Sequence, residues 1–190
     1  MTRYVKVLDQ LGLAGSYSEK LSGFAELFAR WNAKINLSAA RTLEQLDEHV
    51  IDSLHIVRHI EGSSVLDVGS GGGFPVVISA ICLPATRFTS LEPTHKKHSF
   101  LKTAARELGL SNLVPLAVRL EDHAAFNYDL AMSRATFELT EWLHRGLSYV
   151  RDGGAVLGFE AQRRDDLPAT VERHPYELDG KHRAIVIQRK

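Results

Sequence analysis

Val65-Leu66-Asp67-Val68-Gly69-Ser70-Gly71-Gly72-Gly73-Phe74-Pro75 is the stretch that decides the fold. An apolar β-branched run enters a loop with four glycines in five positions, and an apolar helical pattern follows from Val76 to Ile81. A strand that turns sharply into a helix through glycines lets a ligand approach the backbone closely. A second apolar strand, Arg87 to Leu91, ends in Glu92, about 20 residues beyond the loop. An acidic side chain at the tip of the second strand can accept hydrogen bonds from both hydroxyls of a ribose. Together these features point to an adenosine-containing cofactor.

Two cofactor classes use this geometry. The dinucleotide fingerprint G-x-G-x-x-G needs a third glycine for close packing of helix on strand. Gly69-x-Gly71 is present, but Phe74 holds the third position and fits a dinucleotide poorly. The spacing Asp67-x-Gly69-x-Gly71-x-Gly73 instead resembles motif I of Rossmann-like methyltransferases that use S-adenosylmethionine (SAM). SAM carries no pyrophosphate, so the loop need not offer an anion-binding helix N-terminus.

The chain has 190 residues, enough for one domain with a full core. Its share of hydrophobic residues, 44%, is that of an ordinary soluble globular protein, and no apolar run is long enough for a transmembrane helix. Residues 1–13 carry Arg3, Lys6 and Asp9 and lack the apolar core of a signal peptide. Cys82, the single cysteine, cannot form an internal disulfide and reads as a small buried hydrophobe. With no cysteine pairs to suggest zinc, these features fit a reducing cytoplasm. The 23 basic residues are balanced by 23 acidic ones, so any nucleic-acid contact must come from a local basic patch.

Before the glycine loop the pattern is helical. Leu21, Phe24, Leu27, Phe28 and Trp31 recur at helical spacing, and Thr42-Leu43-Glu44-Gln45 reads as a capping box opening a second helix. Asn32 to Ser38, between them, is rich in turn formers. From Ser64 strands and helices alternate, which predicts a mainly parallel sheet with helices on both faces. Strands are expected at 64–68, 87–91, 113–118, 128–133 and 154–160, with helices at 75–83, 95–109 and 136–150. Tyr176–Leu178 and Ala184–Gln188 read as a final antiparallel pair joined around Gly180. The expected organisation is an N-terminal helical extension, 1–62, on a core of 63–190, forming one compact unit.

Ligands in such sheets bind at the C-terminal strand ends. That edge is expected to gather the glycine loop, Glu92, Glu121 and Arg134. Arg119-Leu120-Glu121-Asp122 follows the third strand, where acidic residues can hold an adenine amino group. Arg134, directly after the fourth strand, can pair with the methionine carboxylate of SAM in a bidentate fork. His49, Asp52, Ser53, His55 and His59 share the second helix. The H-E-x-x-H zinc pattern is absent, so the histidines read as surface residues of a solvated helix, with His49 and Asp52 able to face the cleft. Lys96, Lys97 and His98, with Arg163, Arg164, Lys181, His182, Arg183, Arg189 and Lys190, can contact phosphate, but each taken singly reads first as a solvated surface residue, and Asp165, Asp166, Glu172 and Asp179 interrupt any continuous basic stripe.

From about Trp31 to Arg189 the chain resembles the bacterial 16S ribosomal RNA guanine-N7 methyltransferases, the glucose-inhibited division protein B family. The matching pieces are Trp31-Asn32 with Asn36-Leu37-Ser38, His49-Val50-Ile51-Asp52-Ser53, and Asp67 through Pro75. Lys96-Lys97 with Phe100-Leu101, Arg119-x-Glu121-Asp122, Tyr128-Asp129 with Ser133-Arg134-Ala135, and His182-Arg183 complete them. The resemblance implies cofactor contacts at Asp67, Gly69, Gly71, Gly73, Phe74, Leu120, Glu121 and Arg134, with Glu92 on the ribose. It implies substrate contacts at Asn36, His49, Asp52, Arg119 and Arg183, and a guanine in a loop of 16S rRNA, in the small ribosomal subunit, as substrate. A cytoplasmic monomer without metal is expected.

Two departures stand out. The family usually continues Pro-Gly with an Ile-Pro or Leu-Pro step after the glycine loop, where this chain has Val76, Val77 and Ile78. The family's fifth strand typically ends in a lysine–glycine pair, where this chain has Glu160-Ala161 and is expected to reverse a charge near the cleft. Guanine N7 carries an in-plane lone pair and needs no deprotonation, so the absence of an obvious general base is expected. A SAM methyltransferase acting on another RNA or a small molecule, and a non-catalytic SAM-binding protein, are the alternative readings.

Overall fold

The computed structural model describes residues 4–40, 42–124 and 127–190; Arg3, counted above among the N-terminal charges, lies outside them. The described strands are β1 (Ser64–Val68), β2 (Arg87–Leu91), β3 (Leu113–Leu116), β4 (Tyr128–Ser133), β5 (Val150–Glu160), β6 (Glu172–Leu178) and β7 (Lys181–Arg189). They form one sheet in the order β3-β2-β1-β4-β5-β7-β6. The first five strands run parallel, and β7 pairs antiparallel with both β5 and β6. Asp179 and Gly180 turn β6 into β7 with φ of 49° and 70°, the left-handed pair that a tight hairpin needs. The mainly parallel Rossmann-like sheet is therefore as read from the sequence.

Alternation along the strands builds two cores. Val65, Phe88, Leu130, Met132, Leu157 and Ile185 face one of them. Leu66, Val68, Leu91, Ala131, Val156 and Val186 face the other. Helices α1 (Val5–Gln10), α2 (Tyr17–Ile35), α3 (Leu43–Val57), α4 (Val76–Cys82) and α5 (His95–Glu107) pack in the first core. Only α6 (Leu139–Gly146) packs in the second, where Trp142 Nε1 donates to the Leu157 carbonyl at 2.8 Å. Both faces carry helices, but unequally, because among the described residues between β3 and β4 the only helical turn is the 3-10 turn at Leu120–Asp122.

The capping box at α3 is formed, with Gln45 N donating to Thr42 Oγ1 and Thr42 N to the Gln45 side chain. The third helix of the core is shorter than the expected 136–150. Ala135 adopts φ 57°, and Glu138 accepts from the Thr140 and Glu141 amides, so the helix can begin only at Leu139. The fifth strand begins at Val150 rather than 154, because Val150 already pairs with Tyr128 before a bulge resets the register. The third strand ends at Leu116, two residues short of expectation.

Aromatic rings join the N-terminal helices to the sheet side. Phe100 on α5 meets Phe28 at 5.7 Å and Trp31 at 5.7 Å, both edge-on, and Phe24 at 6.2 Å. Phe24 and Phe28 also meet Phe74 of the glycine loop. Phe100→Ala is expected to destabilise the chain by about 3–5 kcal/mol, since a buried ring leaves a cavity that its three aromatic neighbours cannot refill. A urea unfolding midpoint within error of the wild type would contradict this packing.

Candidate active site

The chain visits β1, β2 and β3 in one direction, then crosses to β4 on the other side of β1. At such a switch point the loops leaving neighbouring strands part and open a crevice. The glycine loop leaves β1 there, and Arg134 leaves β4.

The loop is locked onto its neighbours by backbone groups. Gly69 N and Ser70 N both donate to the Leu91 carbonyl, at 2.9 and 3.1 Å. A Cβ on Gly69 would sit 2.1 Å from Thr136 Oγ1, so only glycine allows the β4 loop this close. Gly71 differs. Its φ is +52°, and an added Cβ would meet only Gly69 O, at an ordinary contact distance of 3.7 Å, so no neighbour crowds its backbone. Gly71 N donates to Glu92 Oε2 at 2.9 Å, and Thr94 N to Glu92 Oε1 at 2.8 Å. Glu92 is 4% exposed and stands at the tip of β2, against the loop. Gly73, also at positive φ, packs toward Val77 and Leu101.

Asp67, at the end of β1, is buried, and neither carboxylate oxygen has a hydrogen-bond partner among the described residues. Burial pushes its pKa up to about 7, with Glu92 adding to the rise and Arg134 opposing it. The Ser70 hydroxyl also opposes it, although in the structure it points to the Asp67 carbonyl, at 3.3 Å.

Across the crevice, Arg134 is largely buried against aromatic and acidic groups. Its guanidinium lies 5.2 Å from the Phe74 ring and 5.9 Å from that of Phe159. Nη1 donates to Asp52 Oδ2 at 3.1 Å. Burial holds its pKa below the ordinary value, while Asp52 pulls the other way. Asp52 Oδ1 accepts from Arg183 Nη1 at 2.9 Å and from the Tyr176 hydroxyl at 2.7 Å. Arg183 Nη2 then donates to Glu48 Oε1 at 3.1 Å. These groups, with Phe137, Trp142 and Phe159, line a cavity of about 350 Å³. His49 lines it too, its ring centroid 5.5 Å from Phe74. Burial, then Arg134, lower the His49 pKa and keep the ring neutral near pH 7.

The predicted residues thus divide. Asp67, Gly69, Gly71, Gly73, Phe74 and Glu92 form the loop side, and His49, Asp52, Arg134 and Arg183 the cavity side. Leu120 is buried with Leu91 and Val68. Glu121 is exposed and turned to Arg145, 2.6 Å away, and Arg119 is exposed. Asn36 caps α2 in a left-handed conformation, φ 52°. Asn32, singled out only within a motif, holds the following turn by donating to the Ala40 carbonyl and accepting from Ser38 N. Asp129, also matched by motif, sits at the start of β4, where Ser63, Ser64 and Arg151 donate to it.

Two expectations are corrected. The histidines read on the second helix do not line a solvated face, and His59 lies in the turn just past the end of α3 at Val57. His55 is half-buried and stacks on Tyr176 at 4.0 Å, and His59 meets His174 at 4.3 Å, because β6 covers this side of α3. Burial lowers the His59 pKa to about 4. Nor does Glu160 present a bare negative charge. It is 4% exposed and held by two hydrogen bonds from Arg173, at 2.8 and 2.9 Å, with a third from Arg164 N. Tyr176 was missed by sequence reasoning, as its only signal was a tyrosine opening the expected segment Tyr176–Leu178 of the final strand pair.

Two charge predictions follow from this geometry. The folded chain holds the Asp67 proton to about pH 7, whereas the unfolded chain releases it near the ordinary aspartate value. The folded state binds more protons in that window, so stability falls as pH rises through it. Asp67→Asn removes this slope, and urea titrations should show the variant gaining on the wild type between pH 5 and 8. Asp52→Ala strands two largely buried guanidinium groups and should cost about 3–5 kcal/mol in the same assay.

Relatives agree with this architecture. The sequence model of the family GidB, rRNA small subunit methyltransferase G, matches residues 17–187. Ribosomal RNA small subunit methyltransferase G of Psychrobacter arcticus is 34% identical over 183 residues, covering 95% of this chain and 75% of the relative. The protein of the same name from Alteromonas mediterranea is 35% identical, covering 91% of this chain and 84% of its own. Among solved structures, an O-methyltransferase from Bacillus cereus in complex with SAH superposes with TM-score 0.62 at 14% identity, covering 88% of this chain and 91% of that one. The tRNA (m1A58) methyltransferase TrmI from Aquifex aeolicus gives TM-score 0.54 at 14% identity, covering 72% and 66%. These two likenesses speak to the fold, whereas the matched span and the sequence identities place the chain itself in the rRNA small subunit methyltransferase G family.

Proposed function

We propose that this chain methylates N7 of a specific guanine in 16S rRNA, using SAM as methyl donor. The observation that carries the reading is the adjacency of two unlike compartments. A glycine loop with two buried carboxylates opens directly beside a cavity of about 350 Å³ walled by aromatic rings and arginines. Family membership supplies the substrate class.

The residues present fit SAM. It brings an α-ammonium, a ribose with two hydroxyls and a cationic sulfur, all of which favour acceptors or negative charge. Asp67 offers two buried oxygens without partners, and the open side of Gly71 leaves room against the backbone. Glu92 already receives one amide on each oxygen, and each oxygen keeps a further lone pair for a ribose hydroxyl. Arg134 uses Nη1 on Asp52 and keeps other donors for a carboxylate. Leu120 and Glu121, beside the β3 end, are assigned to the adenine end.

When bound, SAM supplies an electrophilic methyl group, and guanine N7 takes it without first losing a proton. The chain therefore has to orient rather than activate, and orientation contributes on the order of 7–11 kcal/mol to such reactions. Phe137, Trp142 and Phe159 offer faces on which a splayed base can stack. The Asp52 carboxylate fixes both arginines, so the cavity wall does not rearrange when the base enters. His49 stays neutral and adds no cation near a base that becomes positive.

No described helix is long and apolar enough to cross a membrane, and no group of three or more His, Cys, Asp or Glu side chains among the described residues is arranged to hold a metal. We assign the chain to the cytoplasm as a monomer, with Asn36, His49, Asp52, Arg119 and Arg183 on the RNA side. Methyl transfer from labelled SAM to small ribosomal subunits lacking the modification tests the reading. N7-methylguanosine at a single position is expected. Another product nucleoside, or SAM binding without transfer, would overturn it.

A further inference from the structure

Three carboxylates line the cavity beside the glycine loop: Glu48, Asp52 and Glu160. Their states differ. Asp52 accepts on both oxygens from Arg134, Arg183 and Tyr176. Glu160 accepts on both from Arg173, and again from Arg164 N. Glu48 accepts only on Oε1, from Arg183, and its Oε2 has no hydrogen-bond partner among the described residues. Its side chain is 28% exposed, enough to be reached from the cavity.

We propose that Glu48 reads the Watson–Crick edge of the target guanine, its free oxygen accepting from N1–H and the exocyclic N2 amine. The inference rests on the N7-methylation reading. The shape of the base makes the case. N7 lies on the imidazole edge of a purine, and N1–H and N2 lie on the opposite edge. A guanine with N7 turned to the Ser133–Arg134 wall, beside the glycine loop, points its other edge away from that wall. Glu48 is at the far end of the chain of contacts Arg134–Asp52–Arg183–Glu48. Both guanine groups on that edge are donors, and adenine has an acceptor at N1, so a carboxylate there selects guanine.

The contact also strengthens as the reaction proceeds. Positive charge arriving at N7 makes N1–H more acidic, and a fixed carboxylate opposite it gains in the transition state more than in the ground state. Arg183 matters because it holds one Glu48 oxygen and so fixes which oxygen faces the base.

The test uses subunits reconstituted on 16S RNA carrying guanosine or inosine at the methylated position. Inosine keeps N7 and N1–H but lacks the N2 amine. The wild type should prefer guanosine by roughly ten- to a hundredfold in kcat/KM, the size of one hydrogen bond to a charged group. In Glu48→Gln, Arg183 retains the amide oxygen and turns the NH2 toward the base, donor against donors. Guanosine turnover should fall at least tenfold, and the preference over inosine should vanish. SAM affinity and thermal midpoint should hold, which a merely structural role would not predict alongside a lost base preference. Should Glu48→Gln melt early, Glu48→Asp keeps the charge but draws it back, and a reduced preference is expected. A wild type indifferent to inosine, or variants that keep the wild-type ratio, would overturn the assignment of Glu48. No transfer even to guanosine subunits by the wild type would instead overturn the methylation reading on which it rests.

Discussion

The Asp52 carboxylate is the joint on which the cavity side of the molecule depends. It is 4% exposed and receives hydrogen bonds from Arg134, Arg183 and Tyr176. Those donors come from the loop after β4, from β7 and from β6, while Asp52 itself is on α3. One side chain therefore ties the N-terminal helices to both the parallel and the antiparallel parts of the sheet. Buried ion pairs often add little net stability against an apolar alternative, because desolvation offsets attraction. Here the gain is geometric, since three donors meeting two oxygens leave the arginines few other places to go.

The two sides of the crevice treat acidity differently. On the loop side Asp67 is buried with no hydrogen-bond partner for its carboxylate among the described residues, an arrangement that costs stability. On the cavity side Asp52 and Glu160 are satisfied within the protein. The neutral overall charge also takes on a local meaning. Arg145, Arg164, Arg173, Arg183 and Arg189 each face an acid, so most of the C-terminal basic content is already paired. Exposed Lys96, at the start of α5, has no ion-pair partner among the described residues.

Glu160 shows how a local departure from a pattern can be absorbed. A glutamate where lysine is typical reads as a reversed charge at the cleft. In the fold, Arg173 on β6 forms a two-pronged pair with it, and Arg164 N completes the set. The carboxylate then anchors the chain leaving β5, and its charge at the cavity wall is already paired.

Features set by local periodicity were legible in the chain before folding. The alternation of strand and helix, the Thr42–Gln45 capping box, the glycine loop and Glu92 at the tip of β2 all depend on neighbours within a few turns or one crossover. The Asp179–Gly180 hairpin belongs with them. The burial of His55 and His59, the pairing of Glu160 and the role of Tyr176 were not legible. Asp52 meets Tyr176 and Arg183 across 124 and 131 residues of chain. No spacing rule reaches that far. Which carboxylate is saturated and which keeps a free oxygen depends on where the β6–β7 hairpin lands on α3. Only the closed sheet decides that, because a hydrogen bond requires its partners within about 3 Å, and it is the packing of distant strands that brings them there.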